Sequence, residues 1–266
     1  MVSSSLLRPF FCLMPAVFLI CVVLETAVLA ASDPNDEKTV AGQPVRQCVI
    51  LLHGLARTSR SMRKMATALE QGGYRVLNVD YQSREQSIEE LAGSVIPAAI
   101  RDCGHDAEKI HFVAHSLGAI LVRHYLAMNA LPSLGRVVML SPPNQGSEAV
   151  DLLKKMPGFY WLNGPAGMQL GTDADSIPLQ LPQVDYEVGV ITGDRTINFI
   201  LSGIIPGIDD GKVSIKSAQV AGMADFIVMH HAHPFIMKAD DVIEQTLSFL
   251  QYGRFERDRE RTVTKP

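Results

Sequence analysis

The chain has 266 residues, 47% of them apolar, and 24 Lys and Arg against 28 Asp and Glu give a formal net charge of −4. That length buries one sizeable core and suits a single α/β domain. The charge is mixed and faintly acidic, with no basic run beyond a short C-terminal tail. This excludes nucleic acid as a natural partner, because such binding calls for a clustered positive face.

The first segment, Leu6–Ala30, is apolar apart from Arg8, Glu25 and Thr26, and a polar stretch follows from Ala31. A cation ahead of a hydrophobic run, with small Val28 and Ala30 at the −3 and −1 positions of a cut, marks 1–31 as a secretory signal. The alternative is an uncleaved membrane anchor, since about 20 apolar residues span a bilayer; Glu25 argues against a comfortable span. Bulky Ile20 before Cys21 disfavours lipid attachment there. The mature chain is expected to be exported, periplasmic or secreted, with membrane-surface association or anchoring as the variant reading.

Beyond the signal, strand and helix patterns alternate: strand 48–53, helix 60–72, strand 74–80, helix 87–101, strand 110–115, helix 117–130 and strand 136–140. Strands 187–192 and 225–230 and helix 238–251 complete the series. Continuous apolar runs such as Cys48-Val-Ile-Leu-Leu52 are expected of strands buried on both faces. Their alternation with helices implies right-handed crossovers and a doubly wound, mostly parallel sheet spanning 32–252. Between 141 and 186 the periodicity lapses among Pro142, Pro143, Pro157, Pro165, Pro178 and Pro182, around the sole tryptophan, Trp161. This stretch follows a strand end, where open α/β sheets bind ligands, and reads as a cap or pocket wall that would suit an acyl chain. Ile197–Ile208 is a second apolar insertion. The segment 253–266 is a charged tail expected to fray.

The chemistry concentrates at Ile110-His-Phe-Val-Ala-His-Ser-Leu-Gly118, an apolar run ending in a serine between small neighbours. A strand, a strained one-residue turn and a helix in succession form a nucleophile elbow, which requires small residues at −2 and +2. Ala114 and Gly118 supply them, so Ser116 is the candidate nucleophile. A serine of this kind needs a histidine base and an orienting carboxylate, following in the order acid, then histidine. His233, before Pro234-Phe235 and just beyond the last strand, is the better base, with His231 a weaker candidate; His124 lies two turns into the next helix and points away. Two acids compete: Asp194, closing Val188–Gly193, and Asp210, in the Pro206–Val213 loop. The residue pattern leaves both open. His230, His231 and His233 make a poor metal set, because consecutive strand-end residues face opposite ways and no Cys, Asp or Glu cluster adjoins them. No metal or cofactor is expected. His53, His111 and His115 are expected to pack or support, and Asp80 to cap a loop.

Together His53-Gly54-Leu55, Ala114-His-Ser-Leu-Gly118, Pro142-Pro-Asn-Gln-Gly-Ser147 and Asp209-Asp-Gly-Lys-Val213 resemble bacterial secreted lipases of the α/β-hydrolase superfamily, over most of 48–250. The resemblance implies an α/β-hydrolase fold with a cap or lid insertion and a Ser116–Asp210–His233 triad. It also implies an oxyanion hole made by the N–H groups of Leu55 and Leu117, and a small-molecule or lipid ester as substrate. Two departures stand out: Ala114 replaces the usual first glycine, and no acid follows His233 where calcium-binding members carry a ligand. In the implied fold the strands starting near Cys48 and Cys103 run side by side, so the resemblance also implies a Cys48–Cys103 disulfide, fitting an oxidising compartment. The same triad would serve an acyltransferase or thioesterase, and the fold alone would serve a non-catalytic lipid- or partner-binding envelope protein.

Overall fold

The computed structural model describes residues 46–257; the expected signal 1–31 and tail residues 258–266 lie outside them. Six strands, β1 Gln47–Leu52, β2 Arg75–Val79, β3 Lys109–His115, β4 Leu134–Leu140, β5 Val188–Gly193 and β6 Asp225–Met229, form one sheet in the order β2-β1-β3-β4-β5-β6. Every pairing is parallel. The sheet is therefore wholly parallel over the described strands, where the sequence suggests mostly parallel. Helices α1 Arg63–Gln71, α2 Ile88–Asp102, α3 Leu117–Met128 and α9 Asp240–Tyr252 flank it.

Side chains alternate across the pleat, and the two halves of each strand feed two separate cores. Ile50, Leu52, Phe112, Ala114 and Met139 pack with α2 and α3 on one face. Val49, Leu51, Val113, Val138 and Leu140 pack with α1 and α9 on the other. Burial on both sides explains why the strands read as continuous apolar runs. At the start of α2 a capping box fixes the boundary: Ser87 Oγ accepts from Glu90 N–H at 3.3 Å, and Glu90 Oε2 accepts from Ser87 N–H at 2.9 Å.

The stretch without periodicity holds short helices, α4 Glu148–Leu153, α5 Phe159–Met168 and α6 Ile177–Gln180. Gly164 kinks α5 with a left-handed φ of 64°, and only glycine fits there, because a Cβ would overlap the Arg84 carbonyl. Elements this short and broken cannot display a 3.6-residue period. The second insertion carries α7 Phe199–Ser202, and α8 Ile215–Ala218 precedes β6. Residues 253–257, expected to fray, instead fold back. Phe255 is buried against Phe249 with ring centroids 5.0 Å apart, its N–H donates to Asp225 Oδ2 at 2.8 Å, and Arg257 pairs with Asp225. At the opposite edge from the strand ends, Cys48 and Cys103 form a disulfide with Cα atoms 5.9 Å apart. Among the described residues no helix is long and apolar enough to cross a membrane.

Candidate active site

Strand order reverses about β1, so the crevice between the C-terminal ends of β1 and β3 is where an open parallel sheet presents a ligand site. Ser116 stands there, between β3 and α3, with φ 53° and ψ −119°. A non-glycine residue in that region is strained, and the surroundings hold it. Its N–H donates to Leu140 O at 2.9 Å, and Gly118 lets α3 start directly on β1. A Cβ at 118 would lie 2.8 Å from the carbonyl oxygens of both Leu52 and His53. Gly54 permits an equally close approach: a Cβ there would sit 2.7 Å from His115 Nδ1 and 3.1 Å from Ser116 Cβ. Ala114, in place of the familiar glycine, is fully buried and its methyl joins the core.

Opposite Ser116, the loop after β6 carries His233, whose Nε2 lies 3.1 Å from Ser116 Oγ and whose Nδ1 lies 2.8 Å from Asp210 Oδ2. The carboxylate only accepts, so the proton sits on Nδ1 and the Nε2 lone pair faces the hydroxyl. Two further bonds set this geometry: His233 N–H donates to Asp210 O at 2.9 Å, and Asp210 Oδ1 accepts from the N–H groups of Lys212 (3.0 Å) and Val213 (2.9 Å). Asp210 is fully buried. Burial opposes its ionisation, but the His233 charge and hydrogen bond and the Val213 amide outweigh it and hold the pKa below the ordinary carboxylate value. Ser141 Oγ is buried beside this carboxylate and adds to its stabilisation.

The other acid and histidines go elsewhere. Asp194 pairs with the exposed His230 at 2.9 Å, and His231 pairs with Asp241 at 2.8 Å. His124 is half-buried on α3. Asp80 caps the turn ahead of α1, accepting from Ser59 N–H at 2.7 Å. Among the described residues no group of His, Cys, Asp or Glu is placed to hold a metal.

His115 is buried next to Ser116, and its Nε2–H donates to the His233 carbonyl at 3.1 Å. Burial first, then the neighbouring His233, drives its pKa well below the usual value and keeps the ring neutral. On the other side, the His53 ring stacks on Tyr81 at 4.1 Å, Tyr81 Oη donates to His53 O, and Ser83 Oγ accepts from Ala56 N–H at 3.0 Å. Tyr81 and Ser83 thus hold the 53–57 loop against the elbow. The sequence reading missed both; their one signal was a place just past the end of β2. Leu117 follows Ser116 as the first residue of α3, and Leu55 follows Gly54, which packs closely against Ser116.

The alpha/beta hydrolase family matches residues 49–206. No curated protein matches by sequence. Among solved structures, the mature Bacillus licheniformis lipase BlEst2 aligns with TM-score 0.60 at 20% identity, over 78% of this chain and 90% of that one. Phospholipase PlaB from Legionella pneumophila aligns with TM-score 0.62 at 19% identity, over 80% and 61% respectively. A metagenome-derived lipolytic enzyme aligns with TM-score 0.55 at 15% identity, over 77% and 94%. Such likenesses speak for the fold, and the neighbours are bacterial lipases and esterases. The chain belongs to the alpha/beta hydrolase family.

Proposed function

We propose that this protein is an exported serine hydrolase of carboxylic esters, with lipid-like esters as its natural substrates. The reading rests above all on the hydrogen-bond chain from Ser116 Oγ through His233 to buried Asp210. As Ser116 Oγ attacks the ester carbonyl carbon, His233 Nε2 takes its proton, and Asp210 stabilises the imidazolium. The oxyanion is met by the N–H groups of Leu55 and Leu117, the latter at the N-terminus of α3. Collapse breaks the acyl C–O bond, and His233 returns the proton to the departing alcohol. Water, deprotonated by the same imidazole, then attacks the acyl-enzyme and releases the acid.

Two observations support the finer points. A disulfide suits an oxidising compartment outside the cytoplasm. The segments that follow β4 and β5 carry solvent-exposed Trp161, Phe199 and Ile200, so the 141–186 cap and the 197–208 insertion offer an apolar rim to acyl chains. Hydrolysis of p-nitrophenyl esters of increasing chain length tests the reading: wild type turns them over, and Ser116→Ala loses that activity. Turnover retained in Ser116→Ala would refute the assignment.

A further inference from the structure

His115, the last residue of β3, carries a buried ring that the proposed reaction does not use. Its Nε2–H donates to the main-chain carbonyl of His233 at 3.1 Å. The two imidazole centroids lie 4.9 Å apart with their planes tilted by 52°. The other nitrogen, Nδ1, is buried and has no hydrogen-bond partner among the described residues. On that side stands Gly54, where a Cβ would come within 2.7 Å of Nδ1. A carbonyl can only accept, so the proton of the neutral ring sits on Nε2 and Nδ1 is bare. The one polar contact of this ring is therefore with the proposed base.

That contact completes the anchoring of the His233 main chain. The His233 N–H donates to Asp210 O at 2.9 Å. The next residue, Pro234, has no N–H to give, and the chain then turns away as Phe235 and Ile236 donate to Ala232 O at 2.9 and 3.2 Å. His115 takes the carbonyl side, and it is covalently joined to Ser116. Two hydrogen bonds, one from His115 to the His233 carbonyl and one between Ser116 Oγ and His233 Nε2, thus close a ring through neighbouring residues of the turn between β3 and α3. With its backbone held at both ends, His233 cannot swing away from Ser116 without breaking a bond. Burial, then the nearby His233, keeps His115 neutral, so it adds no charge beside the imidazolium that forms during attack.

We propose that His115 is a positioning residue, whose Nε2–H holds the His233 main chain where the imidazole reaches Ser116 Oγ. This deepens the hydrolytic reading and rests on it. The test compares His115→Gln, whose amide can donate to the same carbonyl, with His115→Leu, which fills the space and cannot. Circular dichroism establishes that both are folded. With p-nitrophenyl butyrate, His115→Leu is expected to lose about 10²-fold in kcat with KM nearly unchanged, the cost of a slightly misplaced catalytic group. His115→Gln should stay near wild type, and fluorophosphonate labelling should slow in the same order.

Long-range 1H–15N spectra of the histidine rings, recorded without substrate, form the second arm. Wild type should show His115 protonated at Nε2 and a hydrogen-bonded His233 Nδ1–H at low field, which His115→Gln keeps and His115→Leu broadens. Equal rates in the two variants, or a His115 proton on Nδ1 in wild type, overturns the proposal. If His115→Leu does not fold, the wild-type tautomer and the His115→Gln rate decide: Nε2–H with a near wild-type rate supports the proposal, and any other result overturns it. A wild type that neither hydrolyses nor labels removes the hydrolytic reading instead, and the His233 Nδ1–H signal in the two variants then decides whether His115 positions that ring.

Discussion

Replacing both Cys48 and Cys103 by alanine removes a cross-link between residues 55 apart in sequence. In the chain-entropy account, closing a loop of that length restricts the unfolded chain by about 14 cal/mol/K, or about 4 kcal/mol at 25 °C. For a domain of this size each kcal/mol moves Tm by about 2–4 °C, so the variant should melt about 8–16 °C lower. Both cysteines are almost wholly buried, and alanine avoids leaving a buried hydroxyl without a partner. The cross-link sits at the N-terminal edge of the sheet, since Cys48 pairs in register with Ile110, whereas Ser116 stands at the C-terminal edge. Six residues of strand separate the two, about 20 Å. Activity per folded molecule should therefore stay near wild type at 25 °C. Differential scanning calorimetry of wild type, reduced wild type and the alanine pair measures the effect. A drop under about 2 °C, or free thiols found at Cys48 and Cys103 in the unreduced wild type by peptide mapping, would refute the reasoning.

Asp210→Asn should leave the fold intact and cut kcat by about 10⁴-fold, because the amide favours the wrong His233 tautomer. Asp194→Asn, touching only exposed His230, should stay within about twofold, and equal losses in the two variants would discredit Asp210 as the orienting acid. His111 is buried between Gln47 and the Arg136 amide. Burial, then the Arg136 and Lys109 charges, push its pKa down to about 4. The unfolded chain thus takes up a proton near pH 6.5 that the folded chain refuses until about pH 4. The resulting stability loss begins as pH falls below 6.5 and reaches about 3 kcal/mol near pH 4. Urea unfolding of His111→Gln should show a shallower fall over that window; parallel curves for variant and wild type would contradict this.

The sheet was legible because each of its strands carries its own signal. β1 and β3 are unbroken apolar runs, and Ser116 between small neighbours marks where β3 must turn at once into α3. The acid was not legible from local pattern. Asp194 and Asp210 both follow β5, and only the long-range return of the β6 loop distinguishes them: it brings His233 onto Asp210 and leaves Asp194 with His230. It was the resemblance to lipases, not the spacing, that favoured Asp210. Residues 253–257 misled for a related reason. Their charge and lack of periodicity mark a tail, but one aromatic, Phe255, finds a slot beside Phe249 and Asp225.

The central claim is that His233 and Asp210 make Ser116 a nucleophile. Incubation with a fluorophosphonate, followed by intact-mass and peptide-level mass spectrometry, tests it most directly. One adduct per chain on the peptide bearing Ser116, absent in Ser116→Ala and strongly slowed in His233→Ala, is the predicted result. A folded protein that takes no label, or takes it at another residue, would contradict the account.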